Sequence, residues 1–212
     1  MLTPRGAMKR RSLVLAFFSL LSFVTLATLA FVPGCQGYDV LVQKDQVTQQ
    51  KFADLQAQLQ RRSDLVPNLV AVVKGAAKHE EDTLEAVTKA RAAATAVTIN
   101  PGDLDDPQKM AAFNAAQGQL GSALSHLLVV NEQYPDLKAQ QSYHDLQIQL
   151  EGTENRILHA REDYNAAVAD FNTELGKIHG QVINKVTGKP FAARTYFAAT
   201  STDAQTAPKV QF

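Results

Sequence analysis

The sequence predicts an all-α protein: an antiparallel bundle of three long helices that follows an N-terminal membrane segment. Three observations carry this expectation. Ala, Leu and Gln supply 31, 23 and 19 of the 212 residues, while Gly and Pro together number 19, a mixture that favours helix over a turn-rich sandwich or barrel. Apolar residues recur at alternating spacings of three and four, the stripe of helices that bury one face against other helices. A charge-free apolar run, Ser12 to Val32, comes directly after Lys9, Arg10 and Arg11.

The apolar run is 21 residues long, and at about 1.5 Å per residue it reaches about 30 Å, enough to cross a bilayer. The basic residues before it are expected on the cytoplasmic side and the rest of the chain on the other. Val32-Pro33-Gly34-Cys35 resembles a bacterial lipobox, with an aliphatic residue at −3 and a small one at −1, although Pro33 at −2 departs from that pattern. Two readings stay open: a signal peptide ending in a lipidated Cys35, and an uncleaved single-pass anchor. Both expect a tether to the cell membrane or outer membrane, with the folded part facing the periplasm or the cell exterior. The expected organisation is residues 1–35 as signal peptide or anchor, 36–182 as the bundle, and 183–212 as an irregular tail.

Lys and Arg number 21, as do Asp and Glu, and four of the bases with no acid lie in the first 34 residues. The remainder is therefore mildly acidic, which argues against a nucleic-acid role. A single Cys excludes an internal disulfide framework and a Cys-rich zinc site.

The first helical stretch is expected from Asp45 to Val97, with a stripe of Phe52, Leu55, Leu59, Val66, Leu69, Val73, Ala76, Leu84, Val87 and Ala94. Pro67 predicts a kink or restart, with Ser63 and Asp64 as caps. Thr98 to Pro107 is punctuation, and Asp105 or Asp106 caps the next helix. That second helix is expected from Pro107 to Gln133 on Met110, Phe113, Leu120, Leu124 and Leu127. It carries no charge between Met110 and Asn131. Its Asn, Gln, Ser and His content is too polar for lipid, so burial on more than one side is expected, with Gly118 and Gly121 permitting close helix approach. Tyr134-Pro135-Asp136 ends it. The third helix is expected from Leu137 to Val182 on Tyr143, Leu146, Leu150, Ile157, Ala160, Tyr164, Val168, Phe171, Leu175, Ile178 and Val182. Being longer than the second, it either overhangs it, or a break near Pro67 or Gly152 makes a fourth element. Phe191, Tyr196 and Phe197 are apolar enough to dock on the bundle, and the end from Thr200 is expected to be loose.

No catalytic constellation stands out. The histidines fit neither Glu-x-x-His nor His-Glu-x-x-His spacing, and no nucleophile elbow, phosphate loop or dinucleotide fingerprint is present. No metal site, cofactor or enzymatic activity is expected. There remains a polar cluster of Arg62, Asp64, Glu154, Asn155, Arg161 and Asn165. Arg62 falls on the first apolar stripe, and Glu154 and Arg161 share a helix face, so an Arg62–Glu154 pair inside the bundle would fix register. The functional alternative is a site for a ligand or partner.

At these same residues the chain resembles the LemA family of bacterial membrane-associated proteins. The pieces that carry the resemblance are Leu59-Gln60-Arg61-Arg62, Asp64 to Val70, Val73-Lys74-Gly75 with His79-Glu80, and Ala90-Arg91. It continues through Glu132 to Ala139, Leu150 to Ile157, Ala160-Arg161 with Tyr164-Asn165, Tyr196-Phe197 and Ala207 to Val210, in consistent order over about residues 38 to 212. The resemblance implies a membrane anchor followed by an antiparallel helical bundle, and supplies no catalytic residues. The resulting expectation is a non-catalytic scaffold or adaptor of the cell envelope that binds unidentified envelope proteins, with oligomerisation allowed. The alternative is a ligand-binding envelope factor using Arg62, Glu154 and Arg161.

Overall fold

The computed structural model describes residues 5–76, 80–130, 134, 137, 140–186 and 191–198; for residues 5–36, 76, 130, 178, 179, 183 and 186 it describes the backbone alone. The elements are α1 (Arg5–Ala76), α2 (Glu81–Ala96), a 3-10 turn (Pro101–Asp103), α3 (Pro107–Val130), α4 (Gln141–Gly176) and α5 (Ile178–Val186), with no strand among the described residues. The side chains of the apolar run Ser12 to Val32 and of Cys35 lie outside the described residues, as does everything from residue 199. Among the residues whose side chains are described, which leaves out that run, no helix is long and apolar enough to cross a membrane.

Two compact units are present: Lys44–Thr173 with Ala192–Phe212, and Met1–Gln43 with Glu174–Phe191. In the larger unit α1 and α4 run antiparallel, and their cross-contacts fix the register. Lys44 meets Asp170, Thr48 the carbonyl of Ala167, Lys51 Asp163 at 2.8 Å, and Phe52 Tyr164 with ring centroids 5.2 Å apart. From Lys44 to Phe52 on α1 the partners on α4 run back from Asp170 to Asp163 and Tyr164, and Arg62 further along meets Glu154. The expected stripes are the buried faces: Phe52, Leu55, Leu59, Val66, Leu69 and Val73 on α1, Leu84, Val87 and Ala94 on α2, and all five α3 positions. They form two apolar clusters, one around Phe52, Phe113, Tyr164 and Phe197, the other around Val73, Leu124, Leu127 and Tyr143. Each such aromatic contributes roughly 1.5–3 kcal/mol by leaving water.

The restart expected at Pro67 does not occur, because α1 continues through it. Pro67 has no N–H to give the carbonyl of Ser63 four residues back, and a buried carbonyl left bare would be costly. Arg91 of α2 supplies the missing donor, its Nε lying 2.8 Å from Ser63 O. Asp64 caps nothing and accepts from Gln60 one turn away. Gly152 is likewise inside a continuous α4. The fourth packing element arises elsewhere, because α1 ends at Ala76 and α2 begins at Glu81.

Between α2 and α3, Asn100 and Asp103 form a reciprocal capping box, and Asp106 caps α3 by accepting from the amides of Gln108 and Lys109. Ile99 and Leu104 of this stretch are buried. α3 is not buried on more than one side: Ala111, Ala112, Ala115, Gln119, Ser122, Ser125, His126 and Val129 form one continuous exposed face. A Cβ on Gly121 would meet only the Arg62 guanidinium, at 3.6 Å. That is an ordinary contact distance, so a Cβ would fit there and Gly121 does not serve close backbone approach.

The third expected helix is two. α4 stops at Gly176, Lys177 makes the bend, and α5 runs on to Val186 with Val182 55% exposed. The bend is tight, since a Cβ on Gly180 would lie 2.6 Å from the carbonyl oxygen of Glu174. Gln181 donates its side-chain amide to Gly176 O, satisfying a terminal carbonyl. In this smaller unit Leu41 is fully buried, Tyr38 and Phe191 rings lie 6.1 Å apart, and Asn184 clamps the Phe191 backbone.

Residues 192–198 form an extended strap on the larger unit. Asn172 donates to Arg194 O and accepts from Arg194 N, and Asn165 does the same with Phe197. The geometry matches: two helical turns between the asparagines span about 10.5 Å, and three extended residues span about 10 Å. Phe197 docks into the aromatic cluster 6.1 Å from Phe113, whereas Tyr196 points outward and is 48% exposed.

Substitutions test both the repair at Pro67 and the bend at Gly180. Arg91→Met leaves Ser63 O bare and is expected to cost about 1–3 kcal/mol. Pro67→Ala restores an N–H for that carbonyl, so in Pro67→Ala the Arg91→Met penalty falls by more than half; equal penalties in the two backgrounds, measured by urea unfolding, would refute the repair. Gly152→Ala, which meets nothing within 4 Å, is expected to stabilise by up to about 1 kcal/mol, while Gly180→Ala loosens α5 and speeds its amide exchange.

Candidate functional site

Between the two apolar clusters of the larger unit lies a polar layer. Arg62 projects from α1 and is 4% exposed. Its Nη2 donates to the backbone oxygen of Gln117 at 3.0 Å and to the Gln117 side-chain oxygen at 2.7 Å, while Nη1 donates to both Glu154 carboxylate oxygens at 3.3 and 3.4 Å. The Gln117 side-chain nitrogen in turn donates to Ala94 O in the last turn of α2, one of that helix's orphan carbonyls. One glutamine thus ties α1, α2 and α3, and Arg62 adds α4. The Nε of Arg62 is buried and has no hydrogen-bond partner.

Beside this layer is a cavity of about 460 Å³, walled by Leu59 and Arg62 of α1, by Gln117, Gly118, Gly121, Ser122 and Ser125 of α3, by Glu154, Ile157 and Arg161 of α4, and by Phe197. A second cavity of about 430 Å³ adjoins it through Gly121, Ser125 and Glu154 and reaches Glu151 and Asn155. Ser122 and Ser125 are exposed, so the space opens to solvent along the uncharged α3 face.

Of the residues singled out in the sequence, the structure brings Arg62, Glu154 and Arg161 to this cavity and sets Asn155 on the wall of its neighbour. Asp64 is exposed and separate from it, Asn165 holds the strap, and Cys35 lies outside the described residues. Three contributors escape sequence reasoning: Gln117, Arg91, and the pair of Arg194 with Asp45. Arg194 reaches Asp45 Oδ1 through Nε at 2.9 Å and Nη2 at 2.7 Å, both side chains being nearly enclosed, and lies over the Phe171 ring. The signal for Gln117 is its place between Phe113 and Leu120 on the buried stripe, where a polar residue needs a partner.

Two tyrosines respond to enclosure. Burial raises the Tyr164 phenol far above its ordinary value, so it stays neutral and donates to Thr195 O at 2.8 Å. Burial also raises Tyr143, whose hydroxyl is buried without a partner. Among the described residues no group of three or more His, Cys, Asp or Glu is placed to hold a metal ion. His159 contacts Glu162 at 3.4 Å on the exposed surface.

Antiparallel helices crossed by a polar layer, with an extended strap held by asparagines, define a helical-bundle protein. The chain belongs to the LemA family, whose model matches residues 51–212. It is similar to the magnetosome proteins MamQ 1 and MamQ 2 of Paramagnetospirillum magneticum, each 29% identical over 212 aligned positions covering 92% of this chain and 75% of the relative. It is also similar to the magnetosome protein MamQ of Magnetospirillum gryphiswaldense, 25% identical over 192 positions covering 83% and 68%.

The polar layer makes a testable demand. Gln117→Leu takes the side-chain acceptor from the enclosed Arg62 guanidinium and the donor from Ala94 O, and is expected to cost roughly 1–3 kcal/mol. In Arg62→Met/Gln117→Leu the part of that loss due to Arg62 returns, because the enclosed charge is gone, while Ala94 O stays without its donor. Urea unfolding of the two single variants and the double variant checks this; additive losses would mean that the two side chains are not coupled.

Proposed function

We propose that this protein is a non-catalytic scaffold of the bacterial cell envelope, tethered to a membrane by its N-terminal segment and binding other envelope proteins through the exposed face of α3. The observation that carries the reading is that face itself. From Ala111 to Val129 it presents Ala, Gln, Ser, His and Val and no charge, whereas the solvent face of a bundle helix ordinarily carries Lys, Glu and Arg. An exposed helix face without charges can be covered by a partner helix at little desolvation cost. The tether is supported by the charge-free run Ser12 to Val32 after three basic residues, with Cys35 as the lipidation candidate. Membership of the LemA family and likeness to proteins named for the magnetosome support a role at a membrane.

A second reading, capture of a ligand, is favoured by one specific observation: the cavity where Arg62, Glu154 and Arg161 meet.

The scaffold reading is tested by crosslinking in native membranes followed by mass spectrometry. Ala115→Glu and Gln119→Glu lie on the exposed face away from the cavity and are expected to leave the melting temperature within about 2 °C of the parent, as exposed substitutions do, while removing partner crosslinks. Crosslinks that survive both substitutions, or a purified full chain that turns over a substrate, would overturn it. In the same samples Cys35→Ser is expected to abolish lipid attachment; an unchanged mass and membrane fractionation would leave the uncleaved anchor as the tether.

A further inference from the structure

We infer that the cavity between α1, α3 and α4 is a binding site for a compact oxyanion, a phosphate or carboxylate group borne by a small solute, with Arg161 as its principal ligand. This deepens the ligand-binding reading of that region and rests on it; the cavity shares Ser122 and Ser125 with the exposed α3 face.

Three observations converge. The charged side chains on the cavity wall are Arg62 and Arg161 against the single carboxylate of Glu154, so the space carries an excess positive charge. Glu154 is committed to Arg62 through both of its oxygens, and Arg62 is otherwise occupied by Gln117. Arg161 is half-buried and, among the described residues, has neither a hydrogen bond nor an ion pair. A guanidinium partly withdrawn from water presents a fork of donors that match two oxygens of a carboxylate or phosphate, and pairing with an anion is what compensates its lost hydration.

The opposite wall suits the same guest. Ser122 and Ser125 bring hydroxyl donors from α3 at exposed positions, and Gly118 and Gly121 keep side-chain bulk out of the space. At about 460 Å³ the cavity holds a small molecule rather than a bare ion. The sign of the wall changes along its length, since the adjoining cavity is lined by Glu151 as well as Glu154. The anionic end of a guest is thereby directed toward Arg161 and Phe197 and away from Glu151.

The test is isothermal titration of the full chain in detergent with inorganic phosphate and, separately, with succinate, at constant ionic strength held with sodium chloride. Saturable binding of one or both is expected, and which of them binds identifies the oxyanion. Arg161→Ala is expected to weaken that binding at least tenfold while leaving the ligand-free melting temperature unchanged, because Arg161 has no partner to lose. Arg156→Ala, at an exposed position of α4 that does not line the cavity, retains it. Ser125→Phe, which fills the cavity from an exposed position, blocks binding and serves as the second variant. Absence of saturable binding by both anions, or binding that Arg161→Ala and Ser125→Phe leave intact, overturns the inference. If binding is absent while partner crosslinks are lost in Arg161→Ala, the ligand reading fails and a protein contact at this cleft replaces it.

Discussion

The Arg62 guanidinium, held by Gln117 and Glu154 between two apolar clusters, is the interaction on which the arrangement of the larger unit depends. Apolar stripes alone specify a bundle weakly, because helices with similar seams can slide by a turn and still bury leucines and phenylalanines. A slide of α1 by one turn would carry Arg62 to the level of Leu59 or Val66, inside an apolar cluster with no acceptor. That loss of several kcal/mol adds to whatever the apolar packings differ by, and it penalises every register but one. The layer therefore contributes less to total stability than to uniqueness. Gln117 is the pivot, since its oxygen serves Arg62 and its nitrogen serves the end of α2.

The same principle operates at the strap and at Pro67. In each case a backbone group that cannot find a partner within its own element is satisfied by a side chain from another. Arg91 answers the carbonyl that Pro67 leaves bare. Asn165 and Asn172 each serve one amide and one carbonyl of an extended segment that has no neighbouring strand. Such bonds bind the elements of the larger unit across long sequence separations. They also explain how Phe197 reaches the aromatic cluster, because the clamp on its own backbone fixes where its ring enters.

This division between local pattern and distant repair decides how much is legible in the sequence. The buried faces of α1 to α4 can be read because heptad-like spacing is a local property and each stripe needs only its own helix. The Arg62–Glu154 contact is legible for a related reason, since a charge on an apolar stripe demands a partner in the register of the facing helix. Pro67 misleads because the loss of a donor is local whereas its repair by Arg91 comes from α2, and nothing around Pro67 announces it. The end of α4 misleads because Ile178 and Val182 continue the stripe, while the bend is imposed by the close approach of Gly180 to a carbonyl. Of the candidate site, the charged members are visible and the cavity is not, because an empty volume is set by side chains that are missing from the wall.

α3 shows how one pattern can carry two meanings. A long stretch without charge suggests a helix enclosed on several sides, on the assumption that solvent-facing positions would otherwise be charged. The structure leaves those positions exposed, so among the described residues their lack of charge is not a consequence of enclosure. Small side chains at Ala111, Ala115 and Ser122 contribute little to the stability of the bundle, and lysine or glutamate at the same positions would cost the fold almost nothing. Fold stability therefore gives no reason for the uncharged face. The contact proposed for this face does, since a charge there would have to be desolvated when the contact forms. The opening of the cavity on this same side of α3, at Ser122 and Ser125, places the uncharged surface and the two guanidinium groups within one continuous region of the larger unit.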